Sequence, residues 1–497
     1  MTKVNVSHLQ SGRRTLGVCL TLALLALGGC AQVPKLGEAP KLKPVQQLQS
    51  DQSFSGPTAA WPGDHWWQAY GDAQLDALIN EALDGSPNLA LAEARLRMAQ
   101  ASIQGAQAPL MPEVNGTASI AEAKQSYNYL MPRAALPQGW NDYGQATLNM
   151  SWELDFWGKN HAALAAATSE ERAAEAEVAQ TRLVLSTSVA SAYAELLHLF
   201  TVRDTAVASV TLRGETVELF RQRYANGLET LASVRQVEAR YAAAEAALLG
   251  VDERIALQRN AIAALVGAGP DRGLAITRPA VEFAGGNGLP ANLSMELLGR
   301  RPDIVAARLR TEAAAKRIDQ QKAGFYPSVN LMAFVGVQAL DINKMTKSGS
   351  GFGGVGPAIS LPIFNTNGLQ AQYRGARADY DAAVSVYDAT LTNALHEVAD
   401  AATSRKALDG ELAATRASLA AAVDAYQIVD QRYKGALATY LDVLSAEDAL
   451  VAAQRAVADV ETRALELDVA LVRALGGGYQ TPQTTDKQPS AKQGIPG

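Results

Sequence analysis

The stretch QRYANGLET at residues 222–230 returns, slightly altered, as QRYKGALAT at residues 431–439. Val234 and Val443 continue the match at the same separation of 209 residues. Each copy lies where one long helical pattern ends and another begins, so each predicts a sharp helix reversal. Self-similarity of this kind indicates a chain built from two related halves.

The segments that flank each reversal predict long helices. Neither residues 159–224 nor residues 369–433 contain a proline, and at 1.5 Å per residue each would be roughly 100 Å long. Return helices are predicted over residues 228–265 and 439–475. Helices of this length must bury a seam against neighbouring helices, as coiled coils do.

A β-hairpin is predicted before each long helix, at about residues 113–156 and 328–364. From Leu148 to Phe156, apolar and polar residues alternate strictly, which indicates strands with one apolar face. No run of 18 apolar residues follows the N-terminal segment, so we expect no membrane-spanning helix. A closed β-barrel is the other structure that crosses a membrane, and single chains need about eight strands to form one. Two hairpins provide four, so several chains must share one barrel.

The N-terminus resembles an export signal with a lipid attachment site. Two arginines precede an apolar run at residues 16–27, which is short for a membrane span. The run ends in LGGC, which resembles a bacterial lipobox. We therefore predict a signal peptide over residues 1–29, a lipidated Cys30 and a flexible arm over residues 30–60. An ordinary signal peptide with an incidental cysteine is the alternative.

Composition excludes several classes of function. The formal net charge is −6, and no basic stripe is present that would bind nucleic acid. The four histidines after the predicted signal peptide do not form a metal-binding pair at helical spacing, and no nucleophile or phosphate-binding motif occurs. We therefore expect neither an enzyme nor a metal or cofactor site.

The repeat and the proline- and glycine-rich stretches define the predicted domains. The first repeat covers residues 61–270 and the second covers residues 291–478. Residues 271–290 are predicted to be a linker between them. Residues 479–497 are predicted to be a disordered tail, because they are rich in glycine, glutamine and proline.

Together these features resemble the TolC-like outer-membrane efflux proteins, in particular the lipoprotein branch that works with resistance-nodulation-division pumps. The resemblance rests on the lipobox, the doubled repeat and four motifs: RPDI at 301–304, FYP at 325–327, LPIF at 361–364 and YLDVL at 440–444. It implies a mainly α fold with a small β part. In the family, a homotrimer forms a twelve-stranded barrel in the outer membrane and continues as a helical barrel in the periplasm.

The resemblance also implies a function and partners. The duct would be passive and would export small molecules, including antibiotics, across the outer membrane of a Gram-negative bacterium. Its periplasmic end would dock an adaptor protein that belongs to an inner-membrane pump. By the same resemblance, Gly227, Leu228, Ala436 and Leu437 would contact the adaptor. In the second turn the glycine comes one residue early, at Gly435. Either the turn shifts to place this glycine in the left-handed position, or Ala436 is tolerated there.

The family closes its tip with carboxylate rings and polar links, and this chain matches that pattern only in part. Asp442 falls on one ring position and Tyr433 on a gate position. The second ring position holds Ser445. A charged latch position holds Ala438, and its acidic partner position holds Ser233.

Two other functions fit parts of the sequence. A lipid-anchored periplasmic coiled coil that tethers envelope layers would explain the helices but not the amphipathic hairpins. A type I protein-secretion duct belongs to the same class of channel, and the lipobox argues against it.

Overall fold

The computed structural model describes residues 33–50, 52–54, 57–128, 132–281, 288–363 and 366–481. The predicted signal peptide and the predicted lipidation at Cys30 lie outside the described residues. Most of the predicted disordered tail lies outside them as well. Two compact units are present: a sheet unit, with residues 33–42, 97–173 and 308–386, and a helical unit, with residues 43–96, 174–307 and 387–481.

Helices make up most of the described chain. The described residues contain nine α-helices: α1 (Ala73–Gly85), α2 (Pro87–Gln107), α3 (Lys159–Ala225), α4 (Leu231–Leu265), α5 (Pro270–Leu274), α6 (Leu293–Arg300), α7 (Pro302–Ala323), α8 (Thr366–Lys434) and α9 (Tyr440–Ala474). They also contain six strands: β1 (Thr58–Ala59), β2 (Glu113–Ala123), β3 (Asn141–Leu154), β4 (Leu289–Pro290), β5 (Ser328–Leu340) and β6 (Gly351–Ser360).

Threonine caps decide where the return helices begin. The side chain of Thr230 accepts a hydrogen bond from the backbone N–H of Ser233, and the backbone of Thr230 is extended. Both features are typical of N-cap residues. Helix α4 therefore begins at Leu231, three residues later than predicted. Thr439 caps α9 in the same way, so that helix begins at Tyr440 rather than at Thr439.

Helix α3 bears on the expectation about membrane-spanning helices. It contains an 18-residue window that is long and apolar enough to cross a bilayer, and 56% of that window is buried within the structure. The window is apolar only on average, since no 18 consecutive residues of α3 are all apolar. Buried helices of globular proteins meet the same criteria, so the window alone does not indicate a membrane span.

The two hairpins form one antiparallel sheet in the order β2-β3-β5-β6. Leu148 of β3 lies opposite Val335 of β5, so the apolar alternations of the two hairpins are in register on one face. Strand β6 ends at Ser360, four residues before the predicted end of the hairpin at residue 364. Ser360 pairs with Ser328, the first residue of β5, so the ladder has no further partner beyond it.

A short parallel pairing joins two segments that sequence reasoning treated as unstructured. Strand β1, in the predicted arm, pairs with β4, in the predicted linker. The backbones approach closely, because a Cβ atom on Gly288 would lie 2.9 Å from the carbonyl oxygen of Pro57. The linker also contains α5 and the fully buried Ile276. The predicted linker over residues 271–290 therefore contains regular structure of its own.

The beginning of the predicted tail is also ordered. Thr481 donates hydrogen bonds from both its backbone N–H and its hydroxyl to the carbonyl oxygen of Gly299, at 3.1 and 2.8 Å. These contacts hold the segment that follows α9 against α6. The described part of residues 479–497 is thus packed rather than disordered.

The first helix reversal closes through a left-handed glycine. Gly227 has φ +76°, and its N–H donates to the carbonyl of Tyr224 at 2.9 Å. The N–H of Leu228 donates to the carbonyl of Arg223 at 2.8 Å. This is the hydrogen-bonded helix end at which glycine is preferred.

The second reversal has the same hydrogen bonds, with alanine in the left-handed position. Ala436 has φ +61°. Its N–H donates to Tyr433 at 3.0 Å, and the N–H of Leu437 donates to Arg432 at 2.7 Å. The turn is therefore not reset onto Gly435, and Ala436 adopts the strained conformation.

We expect Ala436→Gly to stabilise the protein by about 1 kcal/mol, because a left-handed residue with a Cβ atom costs about 1–2 kcal/mol and glycine does not. The measurement is the urea midpoint of the purified protein.

Gly227→Ala is the matched control and should destabilise by a similar amount. A Cβ atom at Gly227 meets nothing within 4 Å, so this variant isolates the backbone cost. A lower urea midpoint for Ala436→Gly would contradict the assignment.

Candidate functional site

The sheet of the sheet unit has one continuous apolar face. In β3, Leu148 is 55% exposed, and Val355 and Ile359 of β6 are 77% and 70% exposed. The strand registers place the following apolar pairs on this same face: Val114–Met150, Leu148–Val335, Met150–Ala333, Trp152–Leu331, Leu154–Val329, Val329–Ile359 and Ala333–Val355. In β3 the opposite face carries polar residues, including Thr147, Asn149, Ser151 and Glu153.

Both edges of this sheet are open. Among the described residues, β2 pairs only with β3, and β6 pairs only with β5. An unpaired backbone group costs several kcal/mol in hydrocarbon. A surface with this apolar face can therefore enter a membrane only when further copies of the chain pair with both edges.

The second region of interest is the tip of the helical unit, where the two reversals lie over a small buried cluster. The rings of Phe220 and Tyr433 stack with their centroids 5.5 Å apart. Their apolar partners come from both repeats: Val217, Val234, Val237, Val443 and Leu444. This packing joins the α3–α4 pair to the α8–α9 pair below the turns.

Tyr433 also connects the two repeats by a hydrogen bond. It is 2% exposed, and its hydroxyl donates to Glu229 at 2.7 Å. The guanidinium of Arg223 lies 4.5 Å from the ring centroid, and its Nε atom lies 3.9 Å from the Glu229 carboxylate. Burial and the bond to Glu229 raise the pKa of Tyr433, so its hydroxyl remains a donor at neutral pH.

Sequence reasoning missed Glu229. It placed the acidic partner position at Ser233, which is 4% exposed and hydrogen-bonds the Thr230 hydroxyl at 2.8 Å. Glu229 lies four residues earlier in the chain, before α4 begins. Its counterpart in the second turn is Ala438. This difference between the two copies is the sequence signal that could have identified Glu229.

Asp442 is exposed and forms the capping box of α9. Its carboxylate accepts hydrogen bonds from the backbone N–H and the hydroxyl of Thr439, at 2.8 and 2.7 Å. These bonds, with help from Arg432, lower the pKa of Asp442, so the side chain is an anion at neutral pH. Its place in a carboxylate ring stays a prediction.

In each turn, an exposed leucine follows the left-handed residue. Leu228 follows Gly227 and is 64% exposed, while Leu437 follows Ala436 and is 72% exposed. Each turn thus carries a leucine in solvent beside tightly hydrogen-bonded backbone. This arrangement suits contact with another protein.

A buried ion-pair network lies along the same helices. Glu447 is fully buried; its carboxylate lies 3.0 Å from Nε of Arg213 and accepts a hydrogen bond from Thr216 at 3.2 Å. Asp448 pairs with Arg213 at 3.0 Å and with Arg240 at 2.8 Å. Burial raises the pKa of Glu447. The network ties α9 to both α3 and α4.

The repeat counterpart of Glu447 has a different environment. Glu238 pairs on the surface with Arg221 and Arg235, at 2.8 and 2.7 Å, and these bonds lower its pKa. One sequence position thus holds a surface carboxylate in the first half and a core carboxylate in the second.

A sheet with one apolar face and two open edges, in a chain of long helices, defines a class of protein. In this class several chains together complete a channel in an outer membrane, and the helical part lies in the periplasm. The chain belongs to the outer membrane efflux protein family, whose model matches residues 78–268 and 293–477. Each matched segment covers most of one repeat.

Relatives of known name agree with this assignment. The multidrug resistance outer membrane protein MdtP of Escherichia coli K12 is 29% identical over 471 residues, which cover 93% of this chain and 96% of that protein. The fusaric acid resistance protein FusA of Burkholderia cepacia is 36% identical over 64% of this chain and 61% of its own length. The crystal structure of VceC from Vibrio cholerae has 48% identity and a TM-score of 0.81, covering 84% of this chain and all of that one.

These comparisons confirm the expected fold and function. The protein is the outer-membrane duct of a tripartite efflux system. Its four-stranded sheet is one third of the trimeric, twelve-stranded barrel of TolC-like channels. The long helices alone would also fit a periplasmic tether. Membership of this channel family favours the duct.

We expect Leu148→Arg to reduce trimer assembly in the outer membrane strongly, because arginine on a lipid-facing strand costs about 2–4 kcal/mol at mid-bilayer. Heat-modifiable trimer in isolated outer membranes is the measurement.

Asn149→Arg places the same side chain on the next residue but on the opposite face, and should assemble nearly normally. Equal assembly of the two variants would show that the apolar face does not contact lipid.

Proposed function

We propose that this duct exports small toxic organic molecules for an inner-membrane pump of the resistance-nodulation-division type, to which a periplasmic adaptor connects it. The names of its relatives, multidrug resistance for MdtP and fusaric acid resistance for FusA, support this substrate class. The duct supplies the path, and the pump supplies the energy and selects the substrate.

We propose further that the chain is anchored to the outer membrane by lipid on Cys30. Within the sheet unit, the arm that follows is held by α8. Arg377 donates to the carbonyl of Glu38 at 2.6 Å, and Tyr380 donates to that of Pro40 at 3.1 Å. An arm docked in this way supports an anchor close to the membrane end of the protein.

The observation that carries the partner proposal is the pair of exposed leucines on the turns. Leu228 and Leu437 present apolar surface at the tip of the helical unit, next to Gly227 and Ala436. Apolar side chains on backbone that the turn hydrogen bonds already order are suited to binding a partner, because little further ordering is needed.

Photo-crosslinking tests the adaptor site. A photoreactive residue at position 437 should give a covalent adduct in cells, and mass spectrometry should identify the adduct as a periplasmic adaptor.

Leu249 is the matched control, because it is a 70% exposed leucine on return helix α4, away from the turns. We expect no adaptor adduct there. An equal yield at both positions, or none at position 437, would refute the docking site.

The gate proposal rests on the contacts of Tyr433. We propose that the Tyr433 hydroxyl, Glu229 and Arg223 hold the second helix pair against the first turn when the duct is closed. They would replace the charged latch that Ala438 and Ser233 lack. Asp442, ionised and exposed near the turn, would form a ring of three carboxylates that favours cations.

Planar-bilayer recordings test both gate residues. Tyr433→Phe removes a part-buried hydrogen bond to a carboxylate, worth about 1.5–3 kcal/mol, and should raise the open probability. Asp442→Asn preserves a capping side chain but removes the charge, and should lower the preference for cations.

Tyr440→Phe is the control for the gate. Tyr440 packs on the same Phe220 ring and donates an exposed hydrogen bond to Gln236 at 3.2 Å. It should change gating much less than Tyr433→Phe does. Unchanged opening in Tyr433→Phe would rule out the latch, and unchanged selectivity in Asp442→Asn would rule out the ring.

A further inference from the structure

The helix-side end of the sheet carries an aromatic pair between its two central strands. Trp157 follows β3 and Tyr326 precedes β5, and their rings stack with centroids 4.7 Å apart. The indole N–H of Trp157 donates to the carbonyl of Pro327 at 2.8 Å. Trp157 nevertheless remains 51% exposed. The pair is therefore fixed in position but open to its surroundings, as aromatic residues are at a membrane–water boundary.

Two adjoining hollows lie at this end of the sheet, and the larger one reaches the aromatic pair. The smaller, about 270 Å³, is lined by Trp152 and Leu154, which belong to the apolar face, and by Phe156 and His161. The larger, about 620 Å³, is lined by Phe156 and His161 as well, and extends to the aromatic pair. Since the two hollows share these residues, one groove leads from the apolar face to the first turns of α3 and the end of α7.

The far end of the groove carries excess positive charge. Lys316 and Lys322 of α7 line it, together with Asp319. Lys316 and Asp319 form an exposed pair at 3.9 Å, which is a weak interaction. Among the described residues Lys322 has no ion-pair partner, and the ring of His161 is held by Asp155 at 2.6 Å. An anionic group would complement the lysines.

We propose that this groove binds an anionic phospholipid of the membrane leaflet on the periplasmic side. The phosphate group lies beside Lys316 and Lys322, the glycerol region lies on Trp157 and Tyr326, and one acyl chain continues past Phe156 onto the apolar face. The groove lies below the central strands, whereas the edges left open for pairing with other copies are those of β2 and β6.

Native mass spectrometry of the purified trimer tests the site, with dioleoylphosphatidylglycerol and dioleoylphosphatidylcholine as probes. We expect the wild-type trimer to retain the anionic lipid preferentially. Lys322→Glu should lower its retention at least about fivefold, because one basic residue near an anionic lipid contributes that much. Phosphatidylcholine retention should change little.

Lys347→Glu is the matched control, since it makes the same charge change in the loop between β5 and β6, at the other end of the sheet. It should leave retention of phosphatidylglycerol unchanged. Lys322→Gln serves as a milder variant in case the charge reversal prevents trimer formation, which heat modification on a gel reports.

Three results would overturn the site: equal retention of both lipids by the wild type, equal loss in the Lys347 variant, or displacement of the lipid by millimolar inorganic phosphate. The last would indicate a free-phosphate site. The inference rests on the channel function, and the two are separable, because bilayer conductance of the same preparation reports the channel whether or not the lipid binds.

Discussion

The unpaired edges of the four-stranded sheet are the constraint on which the rest of the protein depends. Hydrocarbon offers no hydrogen-bond partners, so β2 and β6 must pair with strands of other chains before the apolar face can enter a membrane. One chain cannot provide this pairing within itself. Trimer formation is therefore part of folding in the membrane, and the barrel and its pore follow from this association, whereas the long helices are formed within one chain.

At the tip, the two repeats share a turn geometry but differ in the contacts of single residues. The turns have the same hydrogen bonds, but Gly227 is relaxed in the left-handed conformation and Ala436 is strained. Glu229 accepts the Tyr433 hydroxyl, whereas the equivalent position in the second turn holds Ala438. These differences connect the first turn to the second helix pair, and a symmetric pair of repeats would lack that connection.

Much of the fold could be predicted from local patterns. The absence of proline predicted the long helices, and strict alternation predicted the strands, because both signals depend on residues close in sequence. The errors were at boundaries and in segments whose structure depends on distant partners. Strand β1 forms only because β4 lies beside it, and residues 479–481 are ordered only because α6 is nearby. Neither segment has a periodicity of its own.

By itself, the sequence determined the repeat, the helix and strand pattern and the class of channel, because helix length, alternation and turn chemistry are properties of consecutive residues. Only the tertiary structure decided the environment of single side chains. It buried Glu447 beside Arg213 while leaving its counterpart Glu238 on the surface, and it brought Glu229 rather than Ser233 to Tyr433. The physical reason is that other helices bury a side chain and supply its hydrogen-bond partners. How those helices are rotated and aligned against one another cannot be read from any one segment.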